Sequence, residues 1–143
     1  MIDVWVDANV MLRYLLRDNE DLFSQAESLI KSAEAGEIRI RLASLTVAEM
    51  VWVMDSFYNL DRDRLVEILT TLITADGVVT DEKELMLKAL VDYHANNVDF
   101  IDAYLANRAD SLGDPVATFD NKHFKRLPAK LYFQQLTKET KNT

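Results

Sequence analysis

The chain has no cysteine, three glycines and two prolines among its 143 residues. Without cysteine, disulfide frameworks, thiolate nucleophiles and cysteine-held zinc are excluded together. Gly36, Gly77 and Gly113 stand far apart, so there is no glycine-rich loop to cradle a phosphate. Both prolines, Pro115 and Pro128, fall late, and no low-complexity linker or internal repeat interrupts the chain. No run approaches the roughly 20 apolar residues that span a bilayer. The opening Met1-Ile2-Asp3-Val4 lacks a basic segment and carries an acid inside its first apolar run, unlike a signal peptide. The expectation is a soluble, cytoplasmic protein without a membrane partner.

Positive charge is scarce too. Lys and Arg number 16 against 24 Asp and Glu, a net charge of −8. This argues against general nucleic-acid affinity, which needs clustered Lys and Arg. The argument weakens if divalent cations occupy some of the acids and some bases cluster locally. What is present is ordinary globular material, 49% hydrophobic and 28% charged, enough for one core. We expect one domain over 1–136 and a polar, frayed tail over 137–143.

Periodicity alternates along the chain. Ile2 to Val6 is a short β-branched run suited to a buried strand, and Ala8 to Arg17 reads as helix. Leu22, Ala26, Leu29, Ile30 and Ala33 recur at helical spacing until Gly36. Ile38 to Leu42 alternates apolar and basic residues, the period of a strand. Helix follows from Ser44 or Thr46 to about Tyr58, then from Asp61 through Ile73. Asp76-Gly77 turns into the minimal strand Val78 to Thr80. Glu82 to His94 and Asp99 to Ser111 are helical; Pro115 to Phe119 and Lys130 to Phe133 read as strands. Such alternation predicts an α/β fold with a mainly parallel sheet and helices on both faces. Trp5, Trp52 and Phe57 are expected in the core.

Carboxylates fall where this architecture places ligands, outside the carboxyl ends of strands. Asp7 ends the first strand and Asp120 follows the Val116-Ala117-Thr118 run; neither has an obvious basic partner in sequence. Glu49 lies in the first turns of a helix, but Thr46-x-x-Glu49 also spells a capping box, which spacing alone favours. Asp99 reads as a helix cap. Asp102, three residues on and close to an apolar stripe, is costly there unless a cation or donors meet it. Converging acids suit a hard ion such as Mg²⁺, which polarises phosphates and acidifies water. Other chemistry lacks its residues: His94 and His123 are single and distant, and no G-x-S-x-G elbow occurs.

Four stretches together resemble a known family. Val6-Asp7-Ala8-Asn9-Val10-Met11-Leu12-Arg13-Tyr14-Leu15-Leu16 resembles the opening motif of PIN-domain proteins, specifically the VapC toxins. Ser44 to Met54 is similar to their second motif, Asp99-Phe100-Ile101-Asp102-Ala103-Tyr104-Leu105-Ala106 to the third, and Ala117-Thr118-Phe119-Asp120 to the fourth. All four stand in the family's order over nearly the whole chain. The resemblance implies a three-layer α/β/α sandwich and a Mg²⁺- or Mn²⁺-dependent endoribonuclease. It also implies a VapB-type antitoxin as partner, and a homodimer through helices in the first half of the chain. It places the acidic quartet on Asp7, Glu49, Asp102 and Asp120. Asp7 and Asp102 would be inner metal ligands, with Glu49 and Asp120 bound directly or through water. Asn9 and Thr118 fall on supporting polar positions, and Asp99 on a secondary acid.

Bases available for the RNA backbone are Arg13, Arg17, Arg39, Arg41, Lys122, Lys125 and Arg126, of which Arg13 and Arg17 form an i, i+4 pair. Three other readings compete. A phosphatase with an aspartyl nucleophile at Asp7 would want a second acid where Asn9 stands. A receiver-like signalling domain would want a late-strand lysine where Thr118-Phe119 stand. In a non-catalytic interaction module the acids would only cap helices and solvate the surface.

Overall fold

A computed structural model of the chain describes residues 1–141, with side chains through Thr137. Two compact units divide it, Met1–Lys83 and Glu84–Thr143.

In the first unit β1 (Ile2–Trp5), α1 (Ala8–Leu16), α2 (Glu20–Glu34), β2 (Ile38–Leu42), α3 (Ser44–Ser56), α4 (Arg62–Ile73) and β3 (Val78–Thr80) follow in order. The strands form one parallel sheet in the order β1-β2-β3, with Val4 opposite Ile40 and Ile40 opposite Val78. Both crossovers step the same way across the sheet, so right-handed connections send their helices to one face. Side chains agree: Ile40 and Val78 share a cavity wall with Tyr14, Ile30 and Leu72 from α1, α2 and α4. Ile40 and Leu42 are buried while Arg39 and Arg41 alternate to the opposite face.

That second face is polar. Arg39 Nε donates to Asp3 Oδ1 at 2.7 Å and Arg41 Nε to Asp3 Oδ2 at 3.2 Å. The Arg39 guanidinium above all, aided by Arg41, holds the Asp3 carboxyl below its ordinary range. Between α4 and β3 the chain turns at Gly77 with φ +82°, and a Cβ there would stand 3.2 Å from the Ala33 carbonyl oxygen. Glycine is required on both counts.

In the second unit α5 (Lys83–Ala95) and α6 (Phe100–Ser111) precede the short α7 (Asn121–Phe124) and α8 (Tyr132–Lys141). Tyr93 and Phe100 pack edge-on, with centroids 6.4 Å apart, and both are buried. Buried Asn107 donates to Asp92 Oδ2 at 2.7 Å and to the Ala103 carbonyl at 2.8 Å, tying α6 to α5. Paired in this way, a buried amide avoids the cost of an unsatisfied donor.

The fold class is the expected α/β type with a parallel sheet. Three details differ from the sequence reading. The expected strands at 115–119 and 130–133 shrink to one parallel bridge, Val116 to Leu131. Pro115 has no N–H to extend a ladder, and the chain enters α8 at Tyr132. Secondly, the chain from Tyr132 to Lys141 is helix α8, where no helix was expected; residues 142–143 of the expected tail lie outside the described residues. Thirdly, Trp5, Trp52 and Phe57 are not core residues but are 62%, 60% and 73% exposed. Helix α3 is apolar on all sides; Val47, Met50, Val51 and Met54 take its buried side and leave Leu45 and Trp52 outside. Among the described residues no helix is long and apolar enough to cross a membrane.

Candidate active site

Asp7 is placed by the end of β1. It is the N-cap of α1: its backbone is extended, and Oδ1 accepts from the Val10 amide at 3.0 Å. The other carboxylate oxygen, Oδ2, takes no part in that bond. Asp7 and Asn9 line the wall of an open cavity of about 470 Å³, together with Val4, Leu22, Gln25 and Leu29. Glu49 lies on α3, exposed. The capping box favoured by its spacing does not form. The helix starts at Ser44, its N-cap is Ala43 without a side-chain bond, and Thr46 already lies inside the first turn. Ser44 instead donates to Glu82 Oε1 at 2.7 Å. Glu49 is thereby released from the structural role that competed with a functional one.

In the second unit Asp99 takes the N-cap position of α6 as expected, but makes no side-chain cap bond. One turn on, Asp102 is half-buried and accepts no hydrogen bond among the described residues. Burial first, then the negative charges of Asp99 and Asp120, push its carboxyl above the ordinary range, partly offset by His123. Asp120 is the N-cap of α7: Oδ1 accepts from the His123 amide at 3.1 Å and Oδ2 lies 2.7 Å from His123 Nδ1. These His123 contacts, the amide foremost, hold Asp120 below the ordinary range. The Asp120 amide in turn donates to Thr118 Oγ1 at 3.0 Å.

The second unit therefore brings Asp99, Asp102 and Asp120 within electrostatic reach of one another. Among the described residues no set of three or more His, Asp or Glu side chains is arranged to hold a metal ion. The donors themselves fit a hard divalent cation. All are carboxylate oxygens, and Asp102 is a desolvated acid facing like charges, which a cation relieves.

Sequence reasoning missed His123 as the partner of Asp120, although a basic residue three positions beyond a helix cap was the available signal. It also missed the Asp92–Asn107 bond that steadies the helix bearing Asp102. Of the arginines expected to meet RNA, Arg13 and Arg17 are engaged within the first unit. Arg13 pairs with Asp18 at 3.0 Å, while Arg17 pairs with Glu20 at 3.1 Å and stacks 4.1 Å over Phe23.

No curated protein and no solved structure matches the chain. The profile of the PIN domain matches residues 4–130, a span that takes in the end of β1, all of β2 and β3, every helix through α7, and each of the four acids the motifs marked out. PIN domains are in general nucleases, which agrees with an acid, Asp7, capping a helix at a strand end and a half-buried carboxylate, Asp102, among like charges. On that match, and on the parallel α/β topology beneath it, the chain belongs to the PIN domain family.

Proposed function

We propose that this protein is a Mg²⁺- or Mn²⁺-dependent endoribonuclease, the toxin of a VapBC-type module, restrained by a VapB-type antitoxin. The observation that carries the reading is Asp102, a half-buried carboxylate on α6 one turn beyond Asp99 and close to the charge of Asp120. A fold keeps such a residue at a cost to itself, and the cost has a purpose where a divalent cation is to be held.

Asp7, Glu49, Asp102 and Asp120 would hold the ion, with Asp7 and Asp102 innermost. When bound, the ion supplies polarisation of the phosphate and an acidified water. The chain's own groups orient this set: the Val10 amide fixes one oxygen of Asp7, and Thr118 and His123 fix Asp120. Asn9, on the first turn of α1 beside Asp7, supports it from the same cavity wall. The exposed Leu45 and Trp52 of α3, with Phe57 at its C-cap packed edge-on to Trp52, support a homodimer through the first half of the chain.

Purified protein given single-stranded RNA and Mg²⁺ or Mn²⁺ should cut it, and should stop when the ion is chelated. Asp102→Asn should abolish cutting while keeping the native circular-dichroism spectrum. Full activity in both Asp7→Asn and Asp102→Asn would refute the assignment.

A further inference from the structure

Beside the acids of the second unit lies a feature that phosphodiester chemistry by itself does not require. Phe119, the residue before Asp120, is 93% exposed. Its ring stacks on Phe133 with centroids 5.4 Å apart and planes 11° apart. Phe133 stacks in turn on Tyr132 at 5.7 Å and 11°. Phe133 and Tyr132 are 44% and 37% exposed. Three near-parallel rings therefore form one ledge of stacked rings open to water. An exposed aromatic cluster of this kind is uncommon unless something covers it.

The chain next to the ledge is basic, in a protein that is otherwise acidic. From Asn121 to Lys130 there are four bases, Lys122, Lys125, Arg126 and Lys130, and no acid, whereas the whole chain carries −8. All four are exposed. Lys125 and Lys130 make no ion pair among the described residues, and Arg126 reaches only backbone carbonyls, at 3.4 and 3.5 Å. Flat rings whose connecting segment carries exposed cations match a single-stranded nucleic acid, whose bases offer π-faces and whose backbone offers phosphates. A peptide partner would want a groove and a neutral or acidic rim.

We propose that the Phe119–Phe133–Tyr132 ledge is a base-stacking platform that holds a nucleotide beside the cut, with Lys125 and Lys130 on the flanking phosphates. This rests on the ribonuclease reading above, because the ledge adjoins Asp120. Stacking tolerates any base, so the platform contributes grip and register rather than sequence choice.

The test is fluorescence anisotropy of a labelled, mixed-sequence single-stranded RNA with the full-length Asp7→Asn protein, which leaves the RNA intact. Adding Phe119→Ala should weaken binding about tenfold, and Phe119→Trp should restore it. RNA made wholly of abasic nucleotides should bind weakly and lose nothing further with Phe119→Ala. In the active protein Phe119→Ala should raise KM more than it lowers kcat. Equal RNA affinity with and without Phe119→Ala overturns the platform, as does a loss that abasic RNA shares in full. Phe119 is nearly all in solvent, so Phe119→Ala should melt with its parent. Lys125→Ala gives a second arm, weakening binding with a shallower salt dependence. The two readings fail separately. RNA held through the ledge but never cut, with any divalent ion, would sink the nuclease and leave the platform. RNA cut with unchanged KM by Phe119→Ala would do the reverse.

Discussion

Asp7 has two functions that two substitutions can separate. As the N-cap of α1 its Oδ1 accepts from the Val10 amide at 3.0 Å. Replacing a capping Asp by Ala costs about 0.5–2 kcal/mol, typically about 1, whereas Asn caps about as well as Asp. Both substitutions also remove the negative charge at the helix N-terminus, a further loss of about 0.3–1 kcal/mol. Asp7→Asn should therefore lose only the charge contribution, and Asp7→Ala should fall about 1 kcal/mol below it. For a chain of this size that difference corresponds to about 3–6 °C in Tm. As a proposed metal ligand, however, Asp7 needs its charge, so both variants should be equally inactive on RNA. The assay is thermal unfolding by circular dichroism, run in parallel with cleavage of single-stranded RNA in Mg²⁺. If Asp7→Ala melts within about a degree of Asp7→Asn, the capping argument is wrong. If Asp7→Asn cuts RNA at the parent's rate, Asp7 is only a cap.

Acid should strip stability through the first unit's ion pairs. Tyr58 and Arg13 hold Asp18, and Arg39 and Arg41 hold Asp3, below the ordinary value of 3.8. A depressed folded pKa means the contribution is complete above 3.8 and disappears as pH falls through the lower folded value. Tm followed from about pH 5 downward should thus drop less steeply in Asp3→Asn/Asp18→Asn than in the parent; parallel curves would contradict this. Mg²⁺ should raise the Tm of the parent and leave that of Asp102→Asn nearly unchanged, read by calorimetry with and without chelator. Ile40→Ala, at a side chain with 0% exposure in the centre of the sheet, should cost about 2–5 kcal/mol in urea unfolding without a change in m-value.

Much of the first unit could be read from the sequence, because local pattern and tertiary burial agree there. Ile38–Leu42 and Val78–Thr80 come out as strands with their expected bounds, since alternation in one and a turn at Gly77 before the other leave little choice. Trp5, Trp52 and Phe57 went the other way. Hydrophobicity marks what a residue would gain by burial, but α3 gives its inner side to Val47, Met50, Val51 and Met54, and β1 is an edge strand that puts Trp5 by Arg41 on the polar face. The second unit was harder. Val116 pairs through a single bridge, too short for strand periodicity to register, and α8 is so polar that its residues read as tail. At the site the acids themselves were visible. What was not visible was their company, because the His123 contact to Asp120 and the charges around Asp102 depend on how α6 and α7 meet in space.

The bridge at Val116 bears on where this polypeptide can be trimmed. Val116 is buried, and two backbone bonds clasp it: its amide gives to the Lys130 carbonyl at 2.8 Å, and its carbonyl takes from the Tyr132 amide at 2.9 Å. The second half of that clasp lies past residue 130, where the family profile stops. A polypeptide shortened to the profile's limit would leave an interior oxygen with no donor and would lose two of the three rings of the ledge. Boundaries drawn from sequence similarity alone would cut away part of what keeps the segment around Asp120 in place.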